Sequence, residues 1–170
     1  MQLLQYLDFN SFWSLWYWIL MIITWSMTSH WTIGVPFDAV VRADKQGGVF
    51  AEHLDTLVEI NVHRLLYYFE RSGTFFAAFV GFVLSGIGTL GFYFGNEVAL
   101  ALFMLLAPLS LVMAFSVRFA FRVRQEGWRG GELRSHMRWR RFWNQVIGMF
   151  SITAASVAAI WVNLVLRGYY

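Results

Sequence analysis

The chain of 170 residues contains no cysteine. Disulfide bonds, thiolate metal sites, iron–sulfur ligation by cysteine and a cysteine nucleophile are therefore excluded. Charged residues are scarce as well: Asp, Glu, Lys and Arg make up 14% of the chain, whereas a soluble domain carries about a quarter. Hydrophobic residues make up 58% and aromatic residues 19%. A composition this apolar predicts an integral membrane protein of the all-α class.

Enzyme motifs are also missing. The sequence contains no HExxH, no GxSxG and no glycine-rich phosphate loop. The interiors of its long apolar segments lack Asp, Glu, Lys and Arg, although proton and ion relays require ionisable or strongly polar groups inside the membrane. These absences predict a protein that is not an enzyme, and they argue against a charge-coupled transporter. A homo-oligomeric channel with its pore on a symmetry axis stays open as an alternative.

Four apolar segments are each long enough to cross a bilayer. The predicted membrane spans are residues 12–33, 74–94, 98–117 and 142–166. In the first loop, residues 34–73, a short helix is predicted to begin at Pro36 and end at Gly47-Gly48, and an amphipathic helix then runs into the second span. Residues 1–170 thus form one domain, an integral membrane four-helix bundle with an additional amphipathic helical first loop.

Small residues recur at helical spacing in the second and fourth spans. Such residues let helix backbones approach closely in lipid. They are Gly81, Ser85, Gly88, Gly91 and, just beyond the second span, Gly95, and in the fourth span Ser151, Ala155 and Ala159. We predict helix packing through both sets, either against each other or against another protein. Pro108 in the third span removes the hydrogen bond to the carbonyl of Met104 and is expected to kink that helix.

A basic segment, residues 118–141, lies between the third and fourth spans. It holds eight of the thirteen Lys and Arg residues, together with two Trp residues. Its membrane-length neighbours indicate a cytoplasmic loop that sets topology by the positive-inside rule, rather than a nucleic-acid site. Residues 34–73 add four basic residues on the same side. Both termini are therefore predicted to lie on the non-cytoplasmic side.

Six arginines of the basic segment are candidates for contact with anionic lipid or with an acidic partner surface. They are Arg118, Arg122, Arg124, Arg138, Arg140 and Arg141. The alternative is pairing inside the chain, because the first loop carries six acidic residues against four basic ones. We expect the two loops to pair in part and to form a cap over the bundle.

His30 is the only histidine within or beside a span. Imidazole is the usual axial donor to a metal or a chlorophyll-type pigment, which makes His30 a candidate cofactor ligand. The alternative is an interfacial, hydrogen-bonded histidine. No intrinsic cofactor and no metal site are predicted. Binding of lipid, quinone or pigment at the interface with a partner is an open alternative.

Short segments along most of the chain carry a resemblance to known proteins: Leu15-Trp16-Tyr17-Trp18, Ser29-His30-Trp31, Gly34-Val35-Pro36-Phe37-Asp38, Gln46-Gly47-Gly48, Ile60-Asn61-Val62, Arg64-Leu65-Leu66-Tyr67 and Gln145-Val146-Ile147-Gly148-Met149. At these segments the chain resembles a family of small membrane proteins from Rhodobacter- and Roseobacter-type alphaproteobacteria, whose members often carry the label "component of SufBCD complex". A chain without cysteine supplies no thiolate to an iron–sulfur cluster, so at most it anchors such machinery. The resemblance implies a bacterial inner, or intracytoplasmic, membrane that the chain crosses several times, with both termini periplasmic.

Membranes of this kind contain reaction centre–light-harvesting cores and respiratory complexes, and the step from that setting to this chain is an analogy. We expect a non-catalytic accessory subunit of a larger energy-converting complex, with photosynthetic cores ahead of respiratory ones. It would stabilise the assembly or shape a route for quinone or lipid, with other membrane-protein subunits and anionic lipid as partners. A small homo-oligomeric transporter or channel, and a membrane anchor for a soluble partner, are the alternatives.

Overall fold

Helices make up nearly all of the computed structural model, which describes residues 15–162 and 164. They are α1 (Leu15–His30), α2 (Phe37–Gln46), α3 (Gly48–Gly88), α4 (Glu97–Glu126) and α5 (Gly130–Trp161). Two short strands, β1 (Trp31–Thr32) and β2 (Val35–Pro36), connect α1 to α2, and a π-helical turn, Thr89–Tyr93, follows α3. The predicted all-α class is confirmed.

Three helical stretches are long enough and apolar enough to cross a membrane: Gly48–Tyr93, Glu97–Glu126 and Gly130–Trp161. They coincide with the second, third and fourth predicted spans, although residues 163, 165 and 166 of the fourth lie outside the described residues. The first predicted span is not confirmed. Its residues 12–14 are also outside the described part, and α1, which is described from Leu15, ends at His30.

The two predicted loops consist mostly of helix. As predicted, the amphipathic helix of the first loop runs into the second span, and α3 continues unbroken for 41 residues. The basic segment is the C-terminal end of α4, a short turn and the N-terminal end of α5. At that turn Gly127 adopts a left-handed conformation (φ 65°) and donates its N–H to the carbonyl of Val123. Helix α2 begins at Phe37, one residue later than predicted.

A first hydrophobic cluster lies among the charged ends of the helices. Along α3 its buried residues recur every four positions, which places them on one face. The cluster contains Val40 and Ala43 of α2, Leu54, Val58, Val62 and Leu66 of α3, Phe119, Ala120 and Val123 of α4, and Leu133 and Met137 of α5. The N-terminal half of α3 is therefore held against α2, α4 and α5 by a water-excluding core.

A second hydrophobic cluster lies deeper in the apolar region and draws its members from α1, α4 and α5. It includes Met21, Trp25, Leu100, Leu105, Val112, Ile147, Ala155 and Ala159. Helix α1 joins α5 closely because a Cβ at Gly148 would lie 2.8 Å from the ring of Trp25. One turn away, the side-chain amide of Asn144 donates to the carbonyl of Thr28 at 3.3 Å.

A tight hairpin redirects the chain between α1 and α2. Strands β1 and β2 pair antiparallel, with Thr32 opposite Val35. The two residues of the turn, Ile33 and Gly34, both have positive φ (54° and 71°), as a type I′ turn requires. A Cβ at Gly34 would lie 3.0 Å from the Oδ1 of Asn61. The hairpin thus sets α2 beside the C-terminal end of α1.

Candidate interaction surfaces

Ion pairs join the two charged segments. Acidic residues of α2 and α3 contact arginines of α4, of α5 and of the turn between them, as the opposite charge excess of the segments predicts. The pairs are Asp44 with Arg134 (2.9 Å) and with Arg138, Glu59 with Arg129 (3.3 Å), and Glu70 with Arg124. The predicted pairing between the two loops is therefore confirmed, and we call this assembly of α2 with the charged ends of α3, α4 and α5 the cap.

These pairs engage two of the arginines that were candidates for lipid or partner contact. Arg124 and Arg138 each contact a carboxylate of the cap, although both remain partly exposed. The hydrogen bond from Arg124 holds the pKa of Glu70, which precedes the predicted span, below its usual range. Exposed pairs of this kind contribute little to the free energy of unfolding, because solvent screens them. They orient the cap more than they stabilise it.

Asp55 makes a cap contact of a different kind. Both of its carboxylate oxygens accept from the backbone N–H of Gly130, at 3.0 and 3.2 Å. Gly130 is the first residue of α5, and an anion at a helix N-terminus complements the helix dipole. Seventy-five residues separate the two partners. No local sequence signal indicates this contact.

Arg140 does not lie on the surface. Its side chain is at the α4–α5 contact, with the residue only 6% exposed, and its guanidinium donates to the carbonyl of Val112 (2.7 Å) and the hydroxyl of Ser116 (2.8 Å). Its Nε is buried without a hydrogen-bond partner among the described residues. The prediction that Arg140 contacts lipid or a partner is therefore wrong in this fold, because α4 covers it.

Arg118 and Arg122 lie one turn apart on α4 and remain exposed. Neither takes part in an ion pair within the described part of the chain. Of the six candidate arginines, these two and Arg141 are the ones that the fold leaves available for an outside anion.

The small residues of α5 pack inside the chain. Ser151 and Ala155 are fully buried and Ala159 is 5% exposed. The hydroxyl of Ser151 donates to the carbonyl of Met104 in α4 at 3.1 Å. The predicted packing through this set is confirmed, and its neighbours are α4 and α1 rather than the glycines of α3.

The glycines near the α3–α4 turn are closely packed, whereas Gly81, about two turns earlier in α3, is not. A Cβ at Gly91 would lie 2.8 Å from the backbone of Leu100, and one at Gly88 would lie 3.2 Å from the ring of Phe103. Gly95 serves the turn itself, with φ 68°. Around the Cβ position of Gly81, no atom of the described residues lies within 4 Å.

The C-terminal third of α3, apart from its last turn, is therefore an open face. Gly81 and Ser85 are both exposed, which leaves packing against another protein as the prediction for this pair. Large rings stand beside them: Phe75, Phe79 and Phe82 are 77%, 57% and 78% exposed. We call residues 75–86 of α3 the open face.

His30 lies exposed in the last turn of α1, with its ring in edge contact with Trp31 at 5.9 Å between centroids. It also lines a cleft between α1, α2 and α5 that contains Arg141. Within the described residues no group of three or more His, Asp or Glu side chains could hold a metal ion. The geometry places His30 at the edge of the helical bundle.

The described residues form an all-α fold in which three helices are long enough and apolar enough to cross a membrane. No known protein family, no curated protein and no solved structure matches the chain. Function is therefore argued from the arrangement of the residues.

Proposed function

We propose that this chain is a non-catalytic, multi-pass integral membrane protein that acts as an accessory subunit of a larger membrane complex. The observation that carries the proposal is the open face of α3. Only 6% of the most apolar stretch of α3 is buried, compared with 28% for α4 and for α5. This apolar stretch of α3 thus contributes little packing within the described part of the chain, although the N-terminal half of the same helix is well packed.

The composition of the open face favours a protein neighbour over lipid alone. A glycine in a helix interior costs roughly 0.5–1 kcal/mol relative to alanine, so exposed glycine stabilises nothing by itself. Gly81 and Ser85 have the four-residue spacing through which helices approach closely in lipid. The rings of Phe75 and Phe82, which share the neighbouring face of the helix, supply bulky groups that a grooved partner surface can accommodate.

The wider setting of the proposal follows from the sequence. Four spans, periplasmic termini and a bacterial inner or intracytoplasmic membrane are supported by the charge asymmetry and the family resemblance. The same resemblance favours a photosynthetic reaction centre–light-harvesting core as host, with a respiratory complex next. There the subunit would stabilise the assembly or shape a route for quinone or lipid.

Site-specific cross-linking tests this proposal cleanly because the native chain has no cysteine. Ser85→Cys places one thiol on the open face, and Val157→Cys places one on an exposed position of α5 as the matched control. Each variant is labelled with a photoreactive maleimide in native membranes and irradiated, and the adducts are identified by mass spectrometry. We expect a protein adduct at position 85 that is absent at position 157.

The other possible cross-linking results distinguish a homo-oligomer from a helix that faces lipid. An adduct between two copies of this chain would favour the homo-oligomeric transporter or channel. Equal, protein-free labelling at both positions would show a lipid-facing helix and overturn the accessory-subunit proposal. Gentle extraction followed by size separation and an absorption spectrum then shows whether the partner complex carries pigment or haem.

A further inference from the structure

A cleft of about 460 Å³ opens where the C-terminal end of α1 meets α2 and α5. Basic side chains from two different helices converge on it. Its polar lining consists of His30, Asp38, Arg42, Lys45, Gln46 and Arg141. Asp38, Arg42 and Lys45 share one face of α2 because they follow each other at helical spacing. The hairpin at Ile33 and Gly34 brings this face next to α5.

The charge balance of the cleft is positive. Arg42 pairs with Asp38 at 3.5 Å, and both side chains remain more than half exposed. Lys45 takes part in no ion pair among the described residues. One carboxylate therefore faces three cations, those of Arg42, Lys45 and Arg141. Such a cleft attracts anions.

The guanidinium of Arg141 has a fixed orientation at the cleft. Its guanidinium lies over the ring of Phe37 at 3.9 Å from the centroid, a contact that fixes its orientation without neutralising its charge. Its Nε is buried and has no hydrogen-bond partner among the residues that the structure describes. The planar fork of a guanidinium matches the geometry of phosphate oxygens.

The position of the cleft indicates where the anion comes from. Arg141 immediately precedes the fourth predicted span, and Phe142 and Trp143 beside it are 49% and 44% exposed. On α1, Trp31 next to His30 is 48% exposed. Exposed Trp and Phe rings at the end of an apolar helix are typical of the headgroup level of a membrane. The cleft thus opens at the level where phospholipid phosphates lie.

We propose that this cleft binds the phosphate of an anionic phospholipid headgroup, with Arg141, Lys45 and Arg42 as its cationic ligands. Basic pockets between helices on the cytoplasmic side are a known type of site for such headgroups. The inference rests on the proposed placement in a membrane but not on the accessory role. Failure of cross-linking at position 85 would leave it standing.

The test is lipid binding to the full chain in detergent, measured by native mass spectrometry and by the shift in thermal unfolding. Phosphatidylglycerol and cardiolipin are titrated against phosphatidylcholine, and inorganic phosphate is titrated alone and as a competitor. Arg141→Gln and Lys45→Gln remove cations of the cleft. Arg71→Gln is the matched control, since Arg71 is an exposed arginine on α3 that lies outside the cleft and forms no ion pair among the described residues.

We expect each cleft variant to weaken binding of the anionic lipids about fivefold, and Arg71→Gln to leave it unchanged. Phosphatidylcholine should bind weakly to all. If the Arg141→Gln variant does not fold, Lys45→Gln still tests the proposal. Lys45 makes no ion pair among the described residues, so its substitution should not affect folding. Equal losses in the control and cleft variants, or no preference for anionic lipid, would overturn the proposal. Inorganic phosphate binding as tightly as the lipids would assign the cleft to a soluble anion instead.

Discussion

The hydroxyl of Ser151 in α5 donates to the carbonyl oxygen of Met104 in α4 across 3.1 Å. In an unbroken helix that carbonyl would accept from the N–H of residue 108. Residue 108 is a proline and has no N–H to give. The interhelical hydrogen bond therefore satisfies the acceptor that Pro108 leaves open, and it does so at the centre of the α4–α5 contact.

Ser151→Ala should destabilise the chain by about 1 kcal/mol, because the Met104 carbonyl loses its donor in a buried place. Pro108→Ala restores a donor within α4. In that background, the loss on Ser151→Ala should fall to a few tenths of a kcal/mol, as a double-mutant cycle of unfolding in mixed micelles would show. Simple additivity of the two substitutions would contradict this coupling.

Arg140→Met should leave the chain as stable as before or more stable by about 1 kcal/mol. The substitution removes an uncompensated buried charge and keeps most of the side-chain volume. The Val112 carbonyl still accepts from the Ser116 hydroxyl at 2.8 Å after the change. Arg140→Ala, which leaves a cavity instead, should be destabilising by about 2 kcal/mol. A loss above 1 kcal/mol for Arg140→Met would mean that its two hydrogen bonds outweigh the burial of charge.

Gly91→Ala should destabilise the α3–α4 hairpin by about 1–3 kcal/mol, because its Cβ would overlap the backbone of Leu100. Gly81→Ala is the matched control. Its added Cβ would lie within 4 Å of no described atom. The substitution should therefore raise the free energy of unfolding by about 0.5–1 kcal/mol through helix propensity alone. Thermal unfolding of the isolated protein measures both. In native membranes, Gly81→Ala should nevertheless reduce cross-linking from position 85 if a partner approaches there.

Asp44→Asn removes the carboxylate that Arg134 and Arg138 share. We expect a loss of about 1 kcal/mol at low salt that shrinks as ionic strength rises, since both pairs are partly exposed. Trypsin cleavage in the turn after Gly127 should become faster. Glu52→Gln is the control, because Glu52 is exposed and forms no ion pair among the described residues. Equal acceleration by both changes would argue against a specific role for Asp44.

Local patterns predicted the features that depend on neighbours in the sequence. Helical periodicity predicted the amphipathic half of α3, and opposite charge predicted that the two loops pair. Gly81 and Gly91 each begin a pair of small residues at four-residue spacing, so the sequence could not predict that only Gly91 is closely packed. The difference depends on how near α4 lies to each glycine. Arg140 and Arg141 are adjacent in sequence, yet one is buried against Val112 and the other enters the cleft. Their roles follow from the registration of α5 against α4 and α2, which no single segment encodes.

The unbroken course of α3 has a mechanical consequence. Its apolar half and its cap half form one rod, and roughly 40 Å of helix lies between residues 48 and 74. A tilt of about 10° imposed on the apolar half would displace the far end by about 7 Å. The ion pairs of Glu59 and Glu70 lie along that rod and would be stretched or released. A partner that binds the apolar half of α3 inside the bilayer would thereby change the geometry of the cap outside it.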